Sequence, residues 1–161
     1  MPDGKVTNVV VAGLGGQGAI KASDILADVA FRAGKDVKKA EIHGMSQRGG
    51  SVTSDVRFGE KVLSPMITAG EADFLVVLAP SEVEGTRPLL RPGGVLIPPD
   101  LVDEKGLPNR RSLNVALLGA LSCHLEFSEA LWLEAVKAAL PPQLHAVNER
   151  AFQIGREKAA R

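Results

Sequence analysis

Val6-Thr7-Asn8-Val9-Val10-Val11-Ala12-Gly13-Leu14-Gly15-Gly16-Gln17-Gly18 is the stretch that decides the fold, together with the residues that follow it to Ala33. Val6–Ala12 is an apolar run with no alternation, the pattern of a strand buried on both faces. From Ala19 to Ala33 the apolar positions Ile20, Ile25, Leu26, Val29 and Ala30 recur at helical spacing, and Gly34 supplies a C-terminal stop. Strand, glycine-rich turn, helix is the opening of a βαβ unit. Gly13, Gly15 and Gly18 fit G-x-G-x-x-G in the context where helix N-terminal amides meet a phosphate. Gly16 and Gln17 complete that turn as candidate binding residues. The alternative reading is a tight turn whose glycines only permit close strand–helix packing.

A second glycine-rich loop follows about thirty residues later. Asp36–Ile42 reads as a strand, His43-Gly44-Met45-Ser46-Gln47-Arg48-Gly49-Gly50 as its loop, and Ser51–Phe58 as a strand with Val52, Ser54, Val56 and Phe58 on one face. The interval from His43 to Gly50 is too short for a parallel crossover, so these two strands must pair antiparallel. The expected architecture is therefore α/β and Rossmann-like, in three layers, with a mixed but mostly parallel sheet. Asp73–Ala79, the most apolar strand, is expected at its centre. Glu82–Arg91 reads as a short helix, Val95–Ile97 as a strand after Pro92-Gly93-Gly94, and Pro98–Arg111 as loop. Ser112–Glu126, Ser128–Ala139 and Gln143–Ala160 make a helical C-terminal third, within a single domain spanning 1–161.

His43, Gly44, Ser46, Gln47, Arg48, Gly49 and Gly50 are candidate binding residues of the second loop. Arg48 brings a planar fork suited to phosphate or carboxylate. The bland alternative has His43 and Arg48 bonding nearby carbonyls in a structured turn. No catalytic residue is assigned, because no nucleophile–base pair is identifiable. Glu41 stands where a ribose-binding acid is expected in a dinucleotide fold. Energetics temper that reading: a charge at an exposed helix N-terminus gains only about 0.3–1 kcal/mol, whereas millimolar affinity needs about 4 kcal/mol. A dinucleotide enzyme adds a second mononucleotide half and a substrate domain, for which 161 residues leave no room.

Lys+Arg 19 balances Asp+Glu 19, so no global field draws the chain to nucleic acid or an anionic membrane. Lys38, Lys39, Arg48 and Arg57 leave a local basic patch open. There is no secretory pattern and no apolar run of membrane-spanning length, so the expected compartment is the cytoplasm. Cys123 is the single cysteine, too few for an internal disulfide or a cysteine-ligated cluster. Its apolar surroundings predict a small buried core residue. His43, His124 and His145 share no ligand spacing, and no metal is expected.

Val9–Gly18 and Glu41–Val52, as they stand, resemble the gamma-domain family of 2-oxoacid:ferredoxin oxidoreductases, and within it the small (beta) subunit type acting on indolepyruvate. The similarity continues through Val56-Arg57-Phe58-Gly59, Ser64-Pro65, Gly70-Glu71-Ala72-Asp73, Pro92-Gly93-Gly94, Asn114–Ala120 and Asn148–Gly155. The segment from Pro98 to Asn109 is abbreviated against longer members. The resemblance implies a heteromeric enzyme that oxidatively decarboxylates a 2-oxoacid (indolepyruvate, another aryl pyruvate, pyruvate or a branched-chain acid) to an acyl-CoA and passes electrons to ferredoxin. It implies that a large partner subunit holds thiamine diphosphate and the iron–sulfur clusters, and that this domain stands on the coenzyme A side, at an interface. The chain alone is then inactive and holds no cofactor, and its association with ferredoxin is indirect. A homo-oligomer of the isolated chain is compatible with this. Two alternatives stay open: a free-standing NAD- or FAD-binding oxidoreductase domain, and a non-enzymatic scaffold of the same fold.

Overall fold

The computed structural model describes residues 5–43 and 50–160. Five strands, β1 (Val6–Leu14), β2 (Asp36–His43), β3 (Ser51–Gly59), β4 (Ala72–Val77) and β5 (Leu90–Ile97), form one sheet in the order β2-β3-β1-β4-β5. β4 runs parallel to β1 and β5 parallel to β4, whereas β3 lies antiparallel to both β1 and β2. Four strands thus point one way and β3 alone opposes them, as the short connection after His43 requires. β1 occupies the centre, and β4, expected there, is second from the edge. Both are buried on both faces, so their apolar runs look alike in sequence.

The alternation hidden in Val9–Ala12 is resolved by the two cores. Val9 and Val11 enter the larger core, while Val10 and Ala12 join Leu75 and Val77 on the other face. The larger core lies between the sheet and four helices: α1 (Ala19–Arg32), α3 (Leu113–Ser122), α4 (Glu129–Ala139) and α5 (His145–Ala159). Ser128 caps α4, its hydroxyl accepting from the Leu131 amide. Trp132 is fully buried, its ring 6.4 Å from that of Phe127 and 5.8 Å from that of Phe152. The opposite layer is thin: the turns around the single-turn helix α2 (Val83–Thr86) contribute Val83 and Leu89, and the segment after β3 contributes Ile67. β5 begins five residues before its predicted start. Pro92 is accommodated there because β5 is an edge strand, and the pairing with β4 shifts register between Ala72 and Phe74.

α3 is buried at every position, as expected of a helix apolar all round. It packs on α5 through two glycines. A Cβ at Gly119 would lie 2.1 Å from the Phe152 carbonyl oxygen, and one at Gly155 1.7 Å from that of Ala116. α3 ends at Ser122, one residue before Cys123. Cys123 is therefore exposed, its thiol beside the Gly119 and Arg156 carbonyls, and the expected core position is corrected.

Beneath the thin layer, Asp55 on β3 is only 4% exposed. Burial pushes its carboxyl above the usual aspartate range, and the Ile67 amide bonded to it at 2.9 Å, with the Arg57 charge, offsets this only in part. Between the ordinary aspartate value of 3.8 and the raised one, the folded chain binds more protons than the unfolded one. Stability then falls as pH rises through that window. Asp36 acts with the opposite sign, because the Val62 amide holds its carboxyl below the usual range. Asp55→Asn keeps an acceptor for Ile67 and removes the charge. It is expected to match or exceed the parent in stability at neutral pH, and to lose that decline. Urea titrations between pH 4 and 7 check this; a variant less stable at pH 7 than at pH 4, relative to the parent, would contradict it.

Candidate functional site

β1 connects through α1 to one side of the sheet, while β4 lies on its other side, so the strand order reverses between β1 and β4. Ligands of open α/β sheets bind at such a point, beyond the carboxyl ends of the strands. A cleft of about 780 Å³ opens there, lined by Gly16, Gln17 and Gly18 of the turn, Lys21 of α1, Leu78 after β4, and the stretch leading into α3.

The turn is built from within. Leu14 donates its amide to Gln17 Oε1 at 2.7 Å, and Gln17 its amide to the Leu14 carbonyl at 3.1 Å. Gln17 thus folds back to close the end of β1. Gly13 lies buried in the strand opposite Val52. Gly15 donates its amide to the Gly50 carbonyl at 2.9 Å, which ties the two glycine-rich loops together. Gly16 and Gly18 have φ of 88° and 86°, a region costly for residues with a Cβ. Of the candidates of the first loop, Gly16, Gln17 and Gly18 reach the cleft, and Gly13 and Gly15 shape the turn. In the second, His43 ends β2 and Gly50 is the tie to Gly15. Gly44, Ser46, Gln47, Arg48 and Gly49 lie outside the described residues.

The cations of the cleft differ from those expected. Lys39 is bound to the carboxylates of Asp24 and Glu41. Burial opposes its charge, and the two carboxylates more than offset this, holding the ammonium above its usual range. Glu41 is correspondingly committed to Lys39 rather than standing free for a ribose. Arg57 donates to Asn8 Oδ1 and the Ser64 carbonyl, and Lys38 lies 3.7 Å from Asp36. The cleft instead is lined by Arg110 and Arg111, by Lys21, whose ammonium donates to the Ala139 carbonyl at 3.2 Å, and by one acid, Glu104. Both arginines are exposed, and neither has a carboxylate partner among the described residues. Sequence reasoning passed over them because Pro98–Arg111 has no periodicity; the doublet before an apolar helix was the available signal. Asn109 accepts from the Arg111 amide through Oδ1 at 2.9 Å, which shapes the turn carrying the doublet.

Two helices begin at this cleft. α1 starts at Gly18 without a capping side-chain bond, α3 follows the turn Arg110–Ser112 that Asn109 caps, and neither α1 nor α3 has an acid in its first turn. Their positive ends add to the three cations. Anionic groups suit such a place, by charge and by geometry. Among the described residues no cluster of three or more His, Cys, Asp or Glu is placed to hold a metal, and no helix is long and apolar enough to cross a membrane.

A mixed sheet, a glycine turn at its reversal point and a basic cleft beside that turn define an α/β domain of Rossmann-like type. The family model for pyruvate ferredoxin/flavodoxin oxidoreductase matches residues 8–108, and the chain belongs to that family. Indolepyruvate oxidoreductase subunit IorB of Thermococcus kodakarensis is 34% identical, over 94% of this chain and 95% of the relative. That alignment runs over 192 positions against 161 residues here, so the relative carries segments that this chain lacks. Among solved structures, the keto/oxoacid ferredoxin oxidoreductase gamma subunit of Geobacter sulfurreducens superposes with a TM-score of 0.82 at 24% identity, covering 97% of each chain. The 2-oxoglutarate:ferredoxin oxidoreductase of Magnetococcus marinus, solved with 2-oxoglutarate, coenzyme A and succinyl-CoA, superposes at 0.81 and 24% identity over 98% of this chain and 32% of that one. Those two likenesses establish the fold. The family expected from the two loops is the family found.

Proposed function

We propose that this chain is the non-cluster subunit of a cytoplasmic, heteromeric 2-oxoacid:ferredoxin oxidoreductase acting on indolepyruvate or another aryl pyruvate, and that its cleft takes the phosphates of coenzyme A. The likeness to an indolepyruvate oxidoreductase subunit along nearly the whole of both chains carries the first part. Lys21, Arg110 and Arg111, gathered around two helix starts, support the second. The chain brings one cysteine, so the clusters, like thiamine diphosphate, belong to the large subunit, and ferredoxin meets that subunit. The work of this chain is to bind and orient the phosphates of the acyl acceptor at the interface.

Purification from the native source, followed by identification of the co-purifying subunit, tests this reading. A thiamine- and cluster-bearing partner is expected; retention of NAD or FAD by the chain alone would favour a free-standing nucleotide-binding domain. The isolated chain is expected to show no turnover of a 2-oxoacid with a low-potential acceptor, and any turnover would overturn the division of labour. Calorimetry is expected to give binding of coenzyme A weaker than about 1 μM by the isolated chain, because exposed charge contacts are individually weak. Tighter binding would make the site self-contained.

A further inference from the structure

Asn114 is 8% exposed, yet it lines the cleft. Its Oδ1 accepts from the Val115 amide at 2.9 Å, and its Nδ2 donates to the Gly18 carbonyl at 3.2 Å. The first bond satisfies an amide at the start of α3. The second reaches a carbonyl that already accepts from Ala22 at 2.9 Å, the bond that opens α1. One side chain thus fastens the starts of both helices across 96 residues of sequence. The fit leaves no slack: a Cβ on Gly18 would stand 2.5 Å from Nδ2.

We infer that Asn114 is a positioning residue for the glycine turn: it fixes Gly16–Gly18 and the first turn of α1 where an anionic group of the acyl acceptor meets them. The link to the acceptor rests on the reading of the cleft given above; the clamp itself does not. Neither bond can be made with the amide flipped, because the Val115 amide requires an acceptor and the Gly18 carbonyl a donor. Asn114 sits on α3, whose depth is set by the glycine contacts with α5. The turn is therefore referenced to the helical layer and not only to β1.

Asn114→Asp preserves the shape and the acceptor for Val115 while removing the donor to Gly18. Asn114→Ala removes both. Amide exchange in the full chain reads the clamp directly. The Ala22 amide and its neighbours at the start of α1 are expected to exchange about tenfold faster in both variants, the scale of one lost hydrogen bond. In the assembled enzyme the KM for coenzyme A is expected to rise by about tenfold for the same reason, with the KM for the 2-oxoacid unchanged, a split that loss of folded protein does not produce. Parent-like exchange at Ala22 in either folded variant overturns the clamp. Faster exchange with an unchanged KM for coenzyme A leaves the clamp standing and overturns the assignment of the acceptor to this cleft.

Discussion

Gly155→Ala is expected to lower the melting temperature of the chain by about 6–12 °C or to prevent folding, and Gly119→Ala to act in the same direction. In an open helix the exchange of glycine for alanine stabilises by about 1 kcal/mol. Here the new methyl would stand 1.7 Å from the Ala116 carbonyl oxygen, 2.7 Å from its carbon and 3.1 Å from the Ala120 nitrogen. All three are backbone atoms of α3, so no rotamer change makes room. α3 cannot retreat, because every one of its residues is buried. The cost therefore falls at or above the upper end of overpacking, about 3 kcal/mol. For a chain of this size each kcal/mol moves the midpoint by about 2–4 °C. Gly85 in α2 is the control, since nothing lies within 4 Å of the Cβ it lacks; Gly85→Ala should leave stability unchanged or raise it by up to about 1 kcal/mol. Thermal denaturation followed by circular dichroism decides the matter. A Gly155→Ala midpoint within about 2 °C of the parent, less than 1 kcal/mol, would show that the two helices are not held at this distance.

The double replacement Arg110→Ala, Arg111→Ala is expected to raise the KM for coenzyme A in the assembled enzyme by about 10–100-fold, from the loss of charged hydrogen bonds worth about 1.5–3 kcal/mol. The KM for the 2-oxoacid and the melting temperature should stay where they are, because both side chains are exposed and outside the core. Ionic strength supplies a second reading. Exposed charges are screened beyond about 10 Å at 0.1 M salt, so added salt should weaken coenzyme A binding in the parent more than in the variant. An unchanged KM for coenzyme A in a folded, assembled variant would remove these arginines from the site and, with them, the assignment of the cleft.

The two experiments address different halves of one arrangement. The glycine seam between α3 and α5 sets where α3 begins, and that beginning carries Ser112, Asn114 and the arginine doublet to the glycine turn. A defect in the seam is read as lost stability, whereas a defect in the cleft is read as lost affinity with stability intact.

Much of this was legible in the residues. The unbroken run Val9–Ala12 required a strand buried on both faces, and the glycines from Gly13 to Gly18 required a turn into α1. The short interval after His43 required the antiparallel β3, whatever the rest of the chain did. Each of these is a local matter of side-chain period, backbone freedom and chain reach, and sequence alone determined it. The long-range matters were decided only in three dimensions. β1 rather than β4 took the centre, since strand order depends on which neighbours pair and not on how apolar a strand is. Cys123 came to the surface because α3 stopped one residue earlier. Lys39, expected to be available for an anion, was consumed by Asp24 and Glu41. Gly119 and Gly155 read locally as weak helix formers, and only the contact between α3 and α5 gives them a purpose. Arg110, Arg111 and Asn114 meet Gly18 across more than ninety residues, and no local pattern records that meeting. It follows from the packing of α3 against the sheet and α5, whose energy comes from burial shared among many residues and not from any residue of the site.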